Sequence, residues 1–359
     1  MKKYLYATTA IIGVTAVATG ANAQGLDVNV GGFSNTYYGI AEHNGINGDD
    51  TRELAMQEVE LRLTGSVTLD NGVEVGGFFS NEIEGNTAEA DEQYVYMAGS
   101  FGTIQLGAQN NAAYQTNAGG SQAYAAGVPV NSGWGAVQDL TGDYGGGFLT
   151  PGVSTFLDLA NDANGVVYKS PRMAGFQLAG SWHPDSSQGA NPSSQADFFT
   201  HVDDNTQQNN MISAGLNFSR DFNGIGIDAS AGYATEDRTG QDDPNQYQFS
   251  LGASMAGFSF GGGVGIQDSD DSQDGEAYAL GGAYSIGPWT AGVNGIYSEV
   301  EGNIANSDED ERMAITGGLD YAMGPGITLS SGVTYGEFDN EEGTDPEVIT
   351  ATLGASVSF

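Results

Sequence analysis

Eight charged side chains in this sequence have the types and positions needed to act on ions. Asp139, Asp143, Asp158 and Asp162 lie in one long segment, and Glu58, Glu60, Arg62 and Glu82 lie on shorter alternating segments. Carboxylates around a constriction attract cations and repel anions, because they replace part of the hydration that the ion loses. The alternative for each one is a solvated loop carboxylate far from any constriction. The set predicts a cation-attracting site if the fold brings these segments together.

The long segment, from Gln109 to Asn164, is the element that must position the four aspartates. TIQLGAQ leads into it and GVVYKS follows it, and both patterns are typical of strands. Loops longer than about 12 to 15 residues are usually functional or disordered. A wide barrel has an interior that can accept such a segment. The sequence therefore predicts an inserted constriction loop over residues 109–164.

The strand pattern is clearest from Glu58 to Leu69. Apolar residues and glycine alternate there with polar residues over twelve positions, so one face suits lipid and the other suits water. By this parity the charged residues of the strand face inward, as does Glu82 after the next turn. The pattern recurs to Phe359 and, with less regular segments such as Gln93 to Ala98, gives about sixteen strands.

The connections between these strands alternate in length. Short ones such as DNG, SPRMAG and FNG take turns with long acidic ones such as QDSDDSQDGE. Transmembrane barrels have short turns at one end and longer loops at the other. A soluble β-sandwich is the alternative, but it does not require this alternation. The predicted fold class is all-β, a transmembrane antiparallel β-barrel of about 16 strands with the long loop folded into the lumen.

The N-terminus predicts export. Lys2 and Lys3 precede a mostly apolar stretch from Tyr4 to Ala18, and Ala21-Asn22-Ala23 has the A-x-A form of a signal-peptidase site. The alternative is a membrane anchor, but the apolar stretch is shorter than the ~20 residues that a spanning helix needs. We therefore predict a signal peptide over residues 1–23 and a single barrel over residues 24–359.

The composition excludes several classes of function. The chain has 46 acidic and 9 basic residues, and removal of Lys2 and Lys3 takes the formal charge from −37 to −39. Nucleic-acid partners are not expected, because they require basic patches. Apolar residues at 39% and aromatic residues at 10% are too many for a disordered acidic coil. The chain has no cysteine, so no disulfide contributes to its fold.

Two segments resemble motifs of Gram-negative general porins. VYKSPRMAGFQ, from Val167 to Gln177, resembles the Y-x-S-P-x-x-x-G-F turn, and GTIQLGAQ, from Gly102 to Gln109, resembles the G-x-x-x-L-G-R-Q strand before the constriction loop. The resemblance implies a sixteen-stranded barrel, usually a homotrimer, whose third outer loop enters the lumen. It also implies that Phe359 is an assembly signal for the outer membrane, the alternative being a final core residue.

The sequence departs from this family where the loop begins and ends. Ala108 replaces a common arginine, and residues 161–165 lack a basic residue. The resemblance and the acidic inner parity together imply passive diffusion of ions and small hydrophilic solutes, with cation preference and contact with outer-membrane lipid. We expect Asp139 and Asp143 to face a wall on which Arg62 is the main positive charge. The alternative is a substrate-specific or mainly structural or adhesive barrel with acidic surface loops.

No cofactor and no catalytic activity are expected. The stretch from Asp268 to Glu276 begins like a calcium loop, but Gly281 stands where the bidentate glutamate belongs, so calcium in the acidic outer loops is a secondary expectation. The string from Gly257 to Gly261 matches G-x-S-x-G, yet it opens a strand and lacks the strand-to-helix turn of a nucleophile elbow. His43, His183 and His201 have no zinc-site spacing.

Overall fold

A computed structural model describes residues 25–44, 50–83, 89–119, 124–130, 138, 155–157, 159, 162–186, 208–238, 243–268, 274–301, 309–339 and 346–359. The predicted signal peptide lies outside these residues, and so do Asp139, Asp143 and Asp158. Within the described ranges, no helix has the length and apolar composition needed to cross a membrane.

The described residues form sixteen strands and one short helix. The first eight strands are β1 (Asp27–Asn44), β2 (Asp50–Thr68), β3 (Glu74–Glu82), β4 (Glu89–Gly99), β5 (Gly102–Gln109), β6 (Ala163–Lys169), β7 (Phe176–Asp185) and β8 (Gln208–Phe222). The other eight are β9 (Ile225–Arg238), β10 (Asn245–Met255), β11 (Phe258–Asp268), β12 (Gly275–Ile286), β13 (Trp289–Glu301), β14 (Glu309–Gly324), β15 (Ile327–Asp339) and β16 (Glu347–Ser358). The helix, α1 (Ala112–Thr116), lies between β5 and β6.

The sixteen strands form a closed antiparallel barrel. Each strand pairs with its neighbours in sequence, and β1 pairs with β16 to close the ring. The closure ends on Gly32 and Phe359, whose backbone N–H groups donate to each other's carbonyl oxygens at 3.0 and 3.1 Å. Closure leaves no sheet edge unpaired. The prediction of about sixteen strands is confirmed, and the alternative of a soluble sandwich is wrong.

The alternation of residue types decides which face of each strand is inside. On β2, Leu61 and Leu63 are exposed on the outer face, whereas Glu60, which precedes Leu61, is 4% exposed. Similar exposed apolar residues on other strands include Leu251, Phe260, Leu280 and Leu353. A continuous apolar outer face of this size would be unfavourable in water but suits lipid. The inner face is mostly polar or small, and its large apolar residues, such as Met211, Ile296 and Phe338, are buried in clusters that include residues of the segment between β5 and β6.

Successive connections alternate between the two ends of the barrel, but some that the sequence predicts as long are shortened because the strands extend into them: β11 runs to Asp268 and β12 begins at Gly275. The turn between β8 and β9 consists of Asn223 and Gly224, with φ values of 58° and 89°. Two-residue hairpin turns with both φ values positive match the right-handed twist of the strands, and Asn-Gly is their preferred sequence.

The side chain of Phe359 is 46% exposed, so it is not a core residue.

Described parts of the segment between β5 and β6 touch inward-facing positions of distant strands. Thr116 at the end of α1 lies so close to Gly215 on β8 that a Cβ added there would be 1.9 Å from its hydroxyl oxygen. Ala126 lies equally close to Gly318 on β14, with its carbonyl oxygen 2.0 Å from such a Cβ. These contacts require glycine on the wall, because any larger residue would push the segment away.

Candidate functional site

Four carboxylates converge on the inner wall near both ends of the segment between β5 and β6. They are Glu60 on β2, Asp91 and Glu92 on β4, and Asp162 just before β6, and we call them the carboxylate site. Ser80 on β3 lies among them and is fully buried. Partial exclusion of water strengthens the repulsion between like charges. The arrangement therefore concentrates negative potential on one side of the barrel interior.

Arg62 is bound to Glu60 by a two-point ion pair. Its Nε donates to Oε1 and its Nη2 donates to Oε2, both at 2.6 Å. Such charge-assisted pairs fix the geometry of both groups. The guanidinium also lies over the Phe33 ring, 5.2 Å from its centroid. Glu60 therefore offsets much of the Arg62 charge.

Asp91 and Glu92 are sequence neighbours, yet both side chains reach the interior. The pairing of β3 with β4 shifts register at Ser80, so that this residue faces two residues of β4. In such a β-bulge two residues oppose one. The Ser80 hydroxyl lies 3.2 Å from Asp91 Oδ2, and Glu92 Oε1 accepts a hydrogen bond from the Asn110 side chain at 3.1 Å. The bulge thus places two successive carboxylates on the same wall.

Asn110 joins the two ends of the inserted segment to β4. Its Nδ2 donates to Glu92 Oε1 and to Asp162 Oδ1, each at 3.1 Å, and its backbone N–H donates to Glu92 Oε1 at 3.2 Å. Asn110 begins the segment and Asp162 ends it. Both ends are therefore fixed at the carboxylate site.

Asp162 has the most perturbed environment of the four. Its burial, followed by the nearby charges of Asp91 and Glu92, raises the pKa of Asp162 to about 8. Its backbone has a φ of 51°, in the left-handed region that aspartate tolerates better than most residues. The carboxyl group of Asp162 therefore holds its proton more strongly than an ordinary aspartate does.

The other predicted site residues are dispersed. Glu58 lies on the inner face of β2 and pairs with Asn35 of β1. Glu82 on β3 pairs across the strands with Glu60 and acts electrostatically on Asp162. The structure thus brings Glu60, Arg62, Glu82 and Asp162 together, whereas Asp139, Asp143 and Asp158 lie outside the described residues. Their role at a constriction stays a prediction.

Gln248 on β10 binds the inserted segment at three points. Its Nε2 donates to the carbonyl of Ala113 at 2.6 Å, and its Oε1 accepts from the Asn117 side chain at 3.0 Å and from the Leu157 N–H at 3.1 Å. The side chain is fully buried. Because Ala113 and Leu157 belong to opposite ends of the segment, Gln248 fixes both ends against the wall.

Gln138 docks the middle of the segment on the opposite side of the barrel. Its Nε2 donates to Thr316 Oγ1 on β14 at 3.1 Å and to Thr334 Oγ1 on β15 at 2.9 Å, and its carbonyl accepts from Thr350 Oγ1 on β16 at 2.6 Å. Earlier in the segment, Tyr124 packs on glycine of β10, with its hydroxyl oxygen 1.7 Å from a Cβ added at Gly252. Small and hydroxyl residues of the inner wall therefore form the receiving surface.

Other positive charges of the inner wall are engaged by neighbours, as where Arg312 on β14 donates to the Ser298 hydroxyl. Lys169 on β6 donates to Gln115 Oε1 at 2.8 Å and acts electrostatically on Glu92. Arg238 on β9 pairs with Glu236 at 2.7 Å. Ala108, at the position predicted to lack a family arginine, is fully buried. Lys169 thus contributes a second positive charge near the carboxylate site, in addition to Arg62.

Ser259 of the G-x-S-x-G string and the serines beside His183 all have structural surroundings in the described part of the chain. Ser259 lies within β11, away from any strand-to-helix turn. Ser181 and Ser213 hydrogen-bond to each other at 2.7 Å and accept from the backbone of α1. His183 Nδ1 contacts the Ala163 carbonyl oxygen at 3.0 Å. These side chains support the wall beneath α1.

Calcium binding in the outer loops stays a prediction. Within the stretch from Asp268 to Glu276, residues 269–273 lie outside the described residues. A separate group of Glu299, Glu309 and Glu311 places its carboxylate oxygens within 4.8 Å of one another. Tyr297 donates a 2.9 Å hydrogen bond to Glu299, which shows that this group has protein partners.

Sequence reasoning missed Asp91, Glu92, Gln138 and Gln248. The strand containing the first two was predicted to begin at Gln93, although the run from Glu89 to Glu92 contains no glycine or proline to end it. That lack of a breaker was the available signal. Gln248 has no comparable signal, because it occupies one of many inward polar positions.

Comparisons of the sequence and of the fold with known proteins both identify porins. A family model described as Gram-negative porin matches residues 7–343. A search of curated protein sequences finds no significant match. An anion-selective porin from Comamonas acidovorans is 16% identical, with a TM-score of 0.63 over 93% of this chain and 100% of that chain.

Two structures of OmpT, an outer membrane protein of Vibrio cholerae, are also similar. A loop L8 deletion mutant is 12% identical, with a TM-score of 0.61 over 93% of this chain and 99% of that chain. An in-vitro folded trimer form is 11% identical, with a TM-score of 0.55 over the same shares. At these identities the likeness shows the barrel fold.

Proposed function

This chain belongs to the Gram-negative porin family, and we propose that it forms a water-filled outer-membrane pore for ions and small hydrophilic solutes, with a preference for cations. The observation that supports the cation preference is the carboxylate site, in which Arg62 is already paired with Glu60. Porins and their barrel fold are non-enzymatic channels, and we propose no catalytic role for this chain.

The balance of charge at the site supports this selectivity. Glu60, Glu82, Asp91 and Glu92 contribute negative charge near Asp162, whereas Arg62 and Lys169 contribute positive charge. A unit charge acts over about 10 Å at 0.1 M salt before counterions screen it. A cation passing this wall therefore meets a net negative potential.

The anion-selective neighbour shows why fold alone does not determine selectivity. The porin from Comamonas acidovorans shares the barrel at 16% identity but is described as selective for anions. Function on a shared fold depends on the side chains of the site. Our proposal for cations rests on the side chains of this chain and not on the neighbour.

We also propose that the segment from Gln109 to Asn164 narrows the pore. Its support is the set of contacts made by the described residues: Asn110 and Asp162 at the carboxylate site, Gln248 across both ends and Gln138 at the far wall. A segment fixed at several points can hold a constant aperture. Asp139 and Asp143 are predicted to line that aperture opposite Arg62.

The barrel fold and the family indicate the outer membrane as the location of this chain. We propose that a signal peptide over residues 1–23 directs export and is removed. We further propose a homotrimer in contact with outer-membrane lipid, because a porin-like neighbour has a trimer form and the outer face is apolar. Chemical cross-linking of the detergent-extracted protein tests the subunit number.

Planar-bilayer recording tests the proposed function. The purified protein should insert in discrete, steady conductance steps without any added ligand, and its reversal potential in a KCl gradient should have the sign of cation preference. Absence of conductance would favour the alternative of a substrate-specific, structural or adhesive barrel. Conductance with anion preference would overturn the selectivity alone.

A further inference from the structure

We propose that Arg172 and Arg220 form a binding site for the phosphate group of an anionic phospholipid, on the outside of the barrel at the end with the short turns. In outer-membrane barrels this end faces the periplasm. The inference goes beyond the proposed pore, because it rests on the outer-membrane location of the chain and does not depend on conduction.

The two arginines differ from the other positive charges in the face that they occupy. Removal of Lys2 and Lys3 leaves seven of the 9 basic residues, and all seven lie within the described ranges. Arg220 has the outward parity of Phe218 on β8, and Arg172 lies in the turn between β6 and β7. The others have the parity of the inner face: Arg52, Arg62, Lys169, Arg238 and Arg312. The positive charge outside the lumen is thus confined to two neighbouring hairpins.

A shared carbonyl oxygen holds these two hairpins together beside the arginines. Arg172 Nη1 donates to the Gly175 carbonyl oxygen at 2.7 Å, and the Ser219 N–H donates to the same oxygen at 2.9 Å. Gly175 has a φ of 98°, and a Cβ added there would lie 2.8 Å from the Phe218 ring, so this close approach requires glycine. Because Ser219 precedes Arg220, the turn that carries Arg172 is fixed next to the strand that carries Arg220.

Neither guanidinium is neutralised by an acidic partner in the described part of the chain. Besides the Gly175 carbonyl, Arg172 donates to the side-chain oxygen of Gln177 at 3.2 Å, and both acceptors are uncharged. The Arg220 guanidinium lies 5.2 Å from the centroid of the Phe222 ring, and no described carboxylate forms an ion pair with it. Both charges therefore remain available to an external anion.

The carboxylates of this region belong to the inner face. Asp221 and Asp228 border the same surface pocket as Arg220, but they have the inner parity of β8 and β9, and Asp221 Oδ1 accepts from the Gly224 N–H at 2.9 Å. Outward-facing glutamates lie at the opposite end of the barrel, beside the long loops: Glu276, Glu299, Glu311 and Glu337. The outer face is thus positive at the short-turn end of β6 to β9 and negative at the other end.

The apolar surface beside the arginines favours a lipid over a free anion. The ring centroids of Phe176 and Phe218 are 4.7 Å apart, and those of Phe218 and Phe222 are 6.3 Å apart. Phe176 is 50% exposed and Phe222 is 45% exposed. An arginine at the edge of such a surface can place its charge at the headgroup level, where the guanidinium matches phosphate oxygens. A phospholipid anion contacts both the arginines and the phenyl rings, whereas inorganic phosphate would leave the rings uncovered.

The test is lipid binding by the full-length barrel in detergent, counted by native mass spectrometry. The protein is titrated with phosphatidylglycerol, or with zwitterionic phosphatidylcholine that has the same acyl chains, and wild-type protein should bind phosphatidylglycerol more tightly. Arg172→Gln and Arg220→Gln should each weaken phosphatidylglycerol binding about fivefold, the effect of one basic side chain near an anionic lipid surface, and leave phosphatidylcholine binding unchanged. Arg52→Gln is the matched control, because it removes the same charge from the inner face of β2 and should not alter either affinity.

The first measurement needs no variant to fold. Equal affinity of the wild-type protein for the two lipids would overturn the inference. So would a double variant, Arg172→Gln with Arg220→Gln, that has the compact gel migration of a folded barrel and keeps the wild-type preference. An equal loss in Arg52→Gln would assign the preference to overall charge and would also overturn the site. A barrel that prefers phosphatidylglycerol but does not conduct in planar bilayers would count against the proposed pore function alone.

Discussion

Arg62 and Glu60 project from the same face of β2, two residues apart, and their side chains are joined by two hydrogen bonds of 2.6 Å. The pair places a positive and a negative charge at almost the same point on the inner wall. An ion in the pore therefore responds mainly to the carboxylates that are not paired in this way. The predictions below concern Glu60 itself, Asp162 and the contacts that hold the inserted segment against the wall.

Glu60→Gln should weaken the cation preference, because it removes one negative charge and leaves the Arg62 charge unpaired. We expect the cation-to-anion permeability ratio to fall about twofold at 0.1 M salt, because one unit charge at ~8 Å in water is worth about 0.2 kcal/mol for each ion after screening, with opposite signs for the cation and the anion. Reversal potentials in a KCl gradient at pH 7 measure this change. Glu74→Gln is a substitution away from the carboxylate site. An equal fall of the permeability ratio in this variant would contradict the assignment of the cation preference to the carboxylate site.

Gln248→Leu should loosen the inserted segment without opening the barrel wall. It removes three hydrogen bonds and leaves the Ala113 carbonyl and the Leu157 N–H without this partner, at a cost of roughly 2 to 4 kcal/mol. We expect more frequent closures and greater current noise in single-channel records. Gln246→Leu is the matched control, since Gln246 faces the same interior from the same strand but bonds to Gln267 of β11. Equal noise in both variants would show that Gln248 has no special part in anchoring.

Gly252→Ala should displace Tyr124. The added methyl group would lie 1.7 Å from the Tyr124 hydroxyl oxygen, and overpacking of this kind costs about 1 to 3 kcal/mol. The temperature at which the folded barrel loses its compact gel migration should fall. Gly317→Ala on β14 has no atom within 4 Å of its new methyl group and should leave that temperature nearly unchanged. Combination with Tyr124→Ala should recover part of the loss, and additive effects would rule out the contact.

Stability should decrease as pH rises from 5 to 9 in a manner that depends on Asp162. The pKa of Asp162 is raised to about 8 in the folded protein, so the folded state binds a proton that the unfolded chain releases above ~4. The stabilising contribution of this proton is complete below the unfolded-state pKa of ~4 and is lost as pH increases through about 8. Thermal midpoints of wild-type protein should therefore decrease more than those of Asp162→Asn. Parallel decreases would exclude Asp162 as the group responsible.

Cation preference should decline as the salt concentration rises. The Debye length shortens from about 10 Å at 0.1 M to about 3 Å at 1 M, so the wall charges act over a smaller part of the lumen. The decline is measured as the reversal potential at a fixed ratio of the two salt concentrations, while the absolute concentrations are raised from about 0.1 M to about 1 M. Selectivity that is independent of salt would indicate sieving by size.

The sequence predicts the barrel because strand parity is a local property. Leu61 and Leu63 alternate with Glu60 and Arg62, and no distant residue is needed to determine which face each one takes. Asp91 could not be placed in this way, because it faces inward only through the bulge opposite Ser80. Gln248 could not be found either, since its partners Ala113 and Leu157 are distant in sequence. Contacts between a wall and an inserted segment depend on tertiary structure that no periodicity records.

The bulge at Ser80 also affects how much charge a strand of fixed length can present. A regular strand places one inward side chain about every 7 Å of its length. At the bulge, Asp91 and Glu92 are successive residues that both face the interior. The linear charge density of β4 is thereby doubled at this point, while Ala90 and Gln93 on either side of the pair still oppose Asn81 and Phe79 of β3, so the outer face continues across the bulge. One additional residue in the chain thus increases the field inside the barrel without altering the surface that faces the lipid.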